Sequence, residues 1–357
     1  MPEPSEHTKP ASQAKYSVSA GFVGLMAQLN IAVALTSYQS GRLYLLGRNL
    51  SGGLMVNEQV FQKAMGLFYR DKTLYLATLA HVYRMTNILR PNEVMDEQFT
   101  DCFIPRTAHF TGILDAHDVG VSDQGTVYFV NTRYNCIAEL SDVHSFKPVW
   151  KPRFVSTLIS EDRCHLNGLA MQDGAIKYAS AVSKSDTIDG WRDRRADGGV
   201  IIDVQTDEIV CQGLSMPHSP RVHNDRLWVL NSGTGELGWV DLTKPADQNF
   251  TPLAFCPGFV RGLSFHGNFA FVGLSKPRYE RFEGLALDDA LSRRDSDPWC
   301  GLQVIDLTNG RCVEWFRIDG QVEELYDIEV LPDITCPRAF GFLTDDVLGI
   351  VTAEQAS

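Results

Sequence analysis

The stretch HDVGVSDQGTVYFVNTRY (residues 117–134) reads as an apolar strand, a turn of Asp, Gln and Gly, an aromatic-rich strand and a polar loop. The same plan returns in NGLAMQDGAIKYASAVSK (167–184), HSPRVHNDRLWVLNSGTG (218–235), RGLSFHGNFAFVGLSKPR (261–278) and AMGLFYRDKTLYLATLAH (64–81). A weaker copy is YDIEVLPDITCPRAFGFLTDD (326–346). Aligned on one phase of the first strand, the copies fall at Gly66, Asp118, Gly168, Ser219, Gly262 and Asp327, at intervals of 52, 50, 51, 43 and 65 residues. The second strand follows 13 or 14 residues later each time. Further strands come after it, such as CIAELSD and then FKPVWKPR. Four short strands per period of roughly 45–50 residues mark a β-propeller blade.

Outward from the repeats, the run IAVALTSYQSGRLYLLGRNLSGGLMVNEQVF (31–61) has strand character but no inner strand of its own. It is expected to supply the outer strands of the blade whose inner strand lies at Tyr326–Val330, so that the two ends of the chain close the ring and remove an exposed edge. The expectation is an all-β, six-bladed β-propeller, with the AFGF segment (339–342) leaving a seventh blade open. Residues 20–347 form the single domain, 1–19 an extended or disordered tail, and 348–357 a C-terminal tail. Two insertions break the period, at Ser185–Gly199 and Arg278–Cys300, and EGLALDDALSRRD (283–295) in the second is expected to form a short helix. Long loops on a rigid scaffold carry function more often than the elements they join. No 10–15-residue helical pattern alternates with the strands, which excludes a doubly wound α/β fold.

Composition sets outer bounds. The 357 residues are 44% hydrophobic and carry 32 Lys+Arg against 44 Asp+Glu, a formal net charge of −12. That excludes a general nucleic-acid binder, which needs a basic footprint. The most apolar stretch, Gly21–Leu35, is broken by Gln28 and Asn30 and falls short of the roughly 18 residues of a membrane span. The eight cysteines form no C-x-x-C pair, and the N-terminal residues lack a basic and then apolar export pattern. A reduced, cytoplasmic protein with no membrane partner is expected, its oligomeric state left open.

In a propeller, inner-strand starts and the loops after second strands open on one face. The inner-strand column at that mouth is Met65, His117, Asn167, His218, Arg261 and Tyr326. Two residues earlier stand Lys63, Asp115, His165, Met216, Phe259 and Glu324. A small-molecule pocket is expected there. Arg133, Tyr134, Lys184, Arg192, Asn231, Arg261, Lys276 and Arg278 are the candidate substrate-binding residues, because guanidinium and ammonium groups clamp carboxylate or phosphate. His165, Glu324 and Asp118 are the candidate catalytic groups, imidazoles and carboxylates being the usual acids and bases. The glycine-rich Asn231–Gly238 run joins two strands with no helix after it, so no nucleotide cofactor is expected. Cys164 neighbours His165 but points to the other face of its strand and reads as buried and inert.

The segments HDVGVSDQGTVYFVNT, NGLAMQDGAIKYAS and PHSPRVHNDRLWVLNSG resemble repeats of the regucalcin/gluconolactonase propellers. The runs EDRCHLNGLAM, SDTIDGWR, GLSMPHSPR, LWVLNSGTGELG, GFVRGLSFHG and VEELYDI resemble an uncharacterised bacterial family of conserved hypothetical proteins, over about residues 20–335. The lactonase resemblance implies a six-bladed enzyme with a divalent metal in the channel, held by an acidic residue, asparagines and an aspartate. Asn167 keeps an asparagine position, while His117 and His218 replace an asparagine and the aspartate, and Met65 replaces the acid. His117, Asn167 and His218 are therefore the candidate metal ligands, and two imidazoles shift the preference from Ca²⁺ to a divalent transition metal such as Zn, Fe, Cu, Mn or Ni. The leading expectation is a metal-dependent enzyme for a small anionic substrate, its reaction open between hydrolase, lyase and oxidoreductase. Without a metal the same histidines serve as general acid and base. The alternative is a propeller that binds a small ligand, a peptide or a protein partner there without turnover.

Overall fold

A computed structural model describes residues 14–278, 281–342 and 345–353. Among the described residues the strands form six sheets, each a blade of the ring. The inner strands are Leu67–Arg70, Ala116–Val121, Leu166–Gln172, Pro217–His223, Phe259–His266 and Ile328–Pro332, numbered here as the first to sixth blades. The blades are antiparallel meanders, because hairpin turns link neighbouring strands. Asn224 (φ 49°) and Asp225 (φ 58°) both take the left-handed conformation that a two-residue hairpin needs, as do Asp173 (51°) and Gly174 (73°).

The sixth blade joins the chain ends as expected. Its inner strand Ile328–Pro332 pairs with Ile31–Ser37, which leads outward to Arg42–Arg48 and Leu54–Val60. All seven residues of Ile31–Ser37 are buried, so its near-continuous apolar run is a central strand and not a membrane segment. The AFGF segment makes no seventh blade. Pro337–Ala339 pairs in parallel with Asp101–Phe110 and becomes a fifth, outermost strand of the first blade. Within the N-terminal segment expected to be extended or disordered, Lys15–Val18 is a strand that pairs with Arg311–Asp319 at the edge of the fifth blade. Residues 1–13 and 354–357, in the two expected tails, lie outside the described residues.

Apolar clusters fill the spaces between blades. Phe22 and Met26, on a helix spanning Phe22–Leu29, pack with Leu35, Phe316 and Ile328 where the fifth and sixth blades meet. That helix ends at Asn30 in the left-handed conformation (φ 52°), a common helix stop. No helix among the described residues is long and apolar enough to cross a membrane. Around the channel, the column Gly66, Asp118, Gly168, Ser219, Gly262, Asp327 acquires a structural meaning. Asp118, Ser219 and Asp327 each accept a backbone N–H of the following blade, from Leu169 (3.0 Å), Gly262 (3.1 Å) and Leu67 (2.8 Å). The alternating glycines let inner strands approach: a Cβ on Gly66 would lie 2.8 Å from the Asp118 backbone, and one on Gly262 2.7 Å from the Ile328 nitrogen.

Candidate functional site

The mouth expected from the repeats holds a cavity of about 500 Å3. Its walls come from inner-strand starts of the second to sixth blades, roofed by both insertions. Trp191, Arg192 and Arg195 come from the first insertion, Arg281, Phe282 and Leu285 from the second, and they touch where the Arg195 guanidinium donates to the Glu283 carbonyl (3.3 Å). The expected short helix is present at Leu287–Arg293. Among the described residues, six cationic side chains line the cavity against four carboxylates, on a chain whose net charge is −12.

Two histidines are held alike. Asp115 (φ 51°) and Met216 (φ 46°), each two residues before a mouth histidine, take the left-handed conformation. For residues with a Cβ this costs on the order of 1–3 kcal/mol. Each bend turns its carbonyl onto the following ring: Asp115 O lies 2.9 Å from His117 Nδ1, and Met216 O lies 2.9 Å from His218 Nδ1. A hydroxyl from the second strand completes each bracket, Thr132 at 2.8 Å and Ser232 at 2.9 Å. Those hydroxyls donate their own hydrogens to carbonyls of the next blade, Leu166 and Val260, at 2.6 Å each. Both neighbours of Nδ1 are therefore acceptors, so Nδ1 carries the hydrogen and Nε2 keeps its lone pair on the cavity side. Burial, with the charges of His165 and Arg261, holds both imidazoles well below the ordinary histidine value. They are neutral at pH 7.

His165 is oriented differently. Its Nδ1 bonds the Asp162 carboxylate at 2.6 Å, and its ring stacks on Trp191 at 4.2 Å between centroids. Arg192 covers the indole at 4.5 Å and pairs with Asp189 at 3.0 Å. Across the cavity, Glu324 takes a two-pronged bond from Arg278 (2.8 and 3.0 Å) and lies 3.7 Å from Arg261. The Arg261 guanidinium lies over the Tyr326 ring, 3.5 Å from its centroid. Burial raises the Tyr326 phenol well above its ordinary value, so it stays a neutral donor.

The expected residues thus divide. His117, His165, His218, Arg192, Arg261, Lys276, Arg278 and Glu324 all line the cavity. Arg133 stands behind it, 3.7 Å from the wall residue Asp115. Tyr134 packs on Phe146 (5.0 Å), and Lys184 donates to Gln212 (3.3 Å), neither at the wall. Asn231 accepts the Ser215 N–H (2.7 Å) and staples its loop, because a buried backbone donor needs a partner. Asp118 sits deeper in the channel, gripped by Arg221 through two bonds of 2.8 and 3.1 Å. Arg221 also lies 3.7 Å from Asp327. Burial and the facing Asp118 push the Asp327 carboxyl up to about 7, and burial pushes Glu329 up to about 8. This cluster is a strut across the ring, not part of the mouth. Cys164 is buried and its thiol raised by burial, as expected of an inert cysteine.

The residues present do not match the metal site the resemblance implies. Asn167 is absent from the cavity wall, and its Oδ1 accepts the Ser180 hydroxyl (2.7 Å). Among the described residues, no three His, Cys, Asp or Glu side chains group as a metal-binding set. Two spacings in the sequence correspond to these side-chain contacts. His117 and His218 are followed after 15 and 14 residues by a hydroxyl residue, Thr132 and Ser232. Asp162 stands three residues before His165.

A family profile described as a domain of unknown function (DUF4915) matches residues 20–340. No curated protein matches the chain. Among solved structures, the chain is similar to one from a nidogen/laminin complex at 12% identity and a TM-score of 0.53, over 86% of this chain and 100% of that one. It is also similar to a gluconolactonase of Xanthomonas campestris (12% identity, TM-score 0.47, covering 74% and 78%). A streptogramin B lyase matches at 9% identity and a TM-score of 0.43, over 84% and 83%. At these identities the likeness is one of fold alone.

Proposed function

This chain belongs to the DUF4915 family, and we propose that its channel mouth binds a small anionic substrate and moves a proton on it with the chain's own imidazoles. The observation that carries this is the pair of brackets around His117 and His218. Each uses a left-handed backbone bend and a hydroxyl tied to the next blade to present an unprotonated Nε2. Two neutral bases beside a guanidinium are poorly explained by packing alone, since every polar bond that fixes them lies on the Nδ1 side.

The roles follow from position. Arg261 keeps donors available because its link to Glu324 is long at 3.7 Å, and with Lys276 and Arg278 it holds the substrate's acidic group. His117 or His218 Nε2 takes a proton from the substrate or from an attacking water. His165, its Nδ1 on Asp162 in the orientation used by catalytic imidazoles, returns a proton to the leaving or rearranging atom. This is hydrolase, lyase or isomerase chemistry without a metal, which the donor set does not fit. It departs from the metal-dependent expectation while keeping its location and anionic ligand.

The test is a thermal-stabilisation screen of anionic metabolites, followed by product analysis for those that bind. His117→Gln with His218→Gln should leave binding within a few-fold and cut turnover by at least a hundredfold. Ligands that bind tightly with no product, and with affinity alone altered in the variant, would make the site a binding module. No stabilisation by any anion would remove the reading.

A further inference from the structure

Building on that reading, we infer that the substrate is a planar unsaturated acid, an aryl or heteroaryl ring bearing a carboxylate. The cavity wall contains a continuous chain of rings: Tyr38 to Tyr326 (5.8 Å), Tyr326 to His117 (5.4 Å), His117 to His165 (5.0 Å) and His165 to Trp191 (4.2 Å). On the wall beside His218 a second chain runs from His218 to Phe259 (5.5 Å) and on to Phe282 (6.3 Å). Arg192 covers Trp191 and Arg261 covers Tyr326, and the ring faces and edges that remain on the two walls favour a flat ligand, since stacked and edge-on ring contacts add to the burial of apolar area.

The distribution of hydrogen-bonding groups selects against the obvious rival, a polyhydroxylated acid. Each hydroxyl of such a ligand brings a donor that needs an acceptor when buried. Of the four described wall carboxylates, Asp162 is bonded by His165 and Glu324 by Arg278, while Asp115 lies 3.7 Å from Arg133. The acceptors left to a ligand are few, chiefly the Nε2 atoms of His117 and His218 that the proton transfer uses. Met216, Phe259, Phe282 and Leu285 offer no acceptor through their side chains. What the wall lacks is the opposite kind of partner. The Tyr326 hydroxyl and the Trp191 indole N–H are buried with no protein partner, on residues only 4% and 7% exposed. Both are donors. A ring nitrogen, carbonyl or phenolic oxygen on a planar acid supplies the missing acceptors, while the carboxylate meets Arg261, Lys276 and Arg278. A volume of about 500 Å3 accommodates one or two fused rings with such substituents.

The experiment is calorimetric titration of the full chain with quinoline-2-carboxylate, indole-2-carboxylate and 2-naphthoate, beside saturated decahydro-2-naphthoate and gluconate as probes of equal charge. At least one aryl acid should bind tenfold or more tighter than both saturated acids. In Phe282→Leu, which keeps bulk but removes the ring, that preference should fall at least threefold. In Tyr326→Phe the loss should be larger for quinoline-2-carboxylate, which carries a ring acceptor, than for 2-naphthoate. Saturated acids binding as tightly as the aryl acids would overturn the planar class and leave the anion site standing. Binding by none of the five, with the variants melting like wild type, would overturn both.

Discussion

Replacing Arg221 with Met gives a direct test of how the ring is braced, because the guanidinium sits among carboxylates from other blades. It bonds Asp118 twice, at 2.8 and 3.1 Å, lies 3.7 Å from Asp327, and donates to the Leu169 and Pro220 carbonyls at 2.9 Å. Removing one partner of a buried pair costs about 3–5 kcal/mol, since the other charge is left uncompensated. The loss should also depend on pH. A carboxyl whose pKa is raised in the folded state holds a proton that the unfolded chain has released, so stability falls as pH rises until the folded pKa is passed. In the wild type that decline ends near 7 for Asp327 and near 8 for Glu329. Without Arg221, whose charge lowers both, the decline continues to higher pH, and each carboxyl still protonated adds about 1.4 kcal/mol per pH unit. Urea denaturation followed by tryptophan fluorescence at pH 5.5, 7.0 and 8.5 measures the difference. It should be about 3–5 kcal/mol at pH 7 and larger at pH 8.5. A difference below about 1 kcal/mol, in the range of an exposed ion pair, or one that does not change with pH, would refute the strut.

The wild type should lose stability as pH rises from the ordinary carboxylate range, about 4, up to about 8 through Asp327 and Glu329, and Glu329→Gln should flatten that limb in a thermal-melt series. His117 and His218 act on the acid side. Their folded pKa values are lowered, so their stability contribution is intact above about 6.5 and is lost as pH falls below it, with the double Gln variant showing the shallower acid limb. Nitrogen NMR of the imidazoles at pH 6 should find both rings neutral with the hydrogen on Nδ1; a proton on Nε2 would break the bracket argument. Thr132→Val removes one acceptor from Nδ1 and one bond to the next blade, and should cost about 1–2 kcal/mol in denaturant melts with reduced turnover. Dialysis against a chelator should leave melting temperature and anion binding unchanged; a loss restored by one divalent ion would reinstate a metal centre.

The blade count, the closure of the ring by both chain ends and the location of the mouth were legible in the sequence, because each is encoded locally. Strand alternation, hairpin residues and a repeat near fifty residues are set by near neighbours in the chain, and a propeller only stacks such units. Strand phase argues against grouping Asp118 with His117, since adjacent residues on a strand face opposite ways, although Asp118 was expected at the mouth as a catalytic group. What those two do was not legible. Asp118 meets a guanidinium 103 residues away, from a blade two places round the ring, and leaves the mouth. Asn167 shares the mouth phase but turns to Ser180, while His117 and His218 acquire their tautomer from hydroxyls anchored to the next blade. Rotamers and partners of this kind depend on how blades dock, and docking is decided by packing across the ring, to which no local pattern in the chain corresponds.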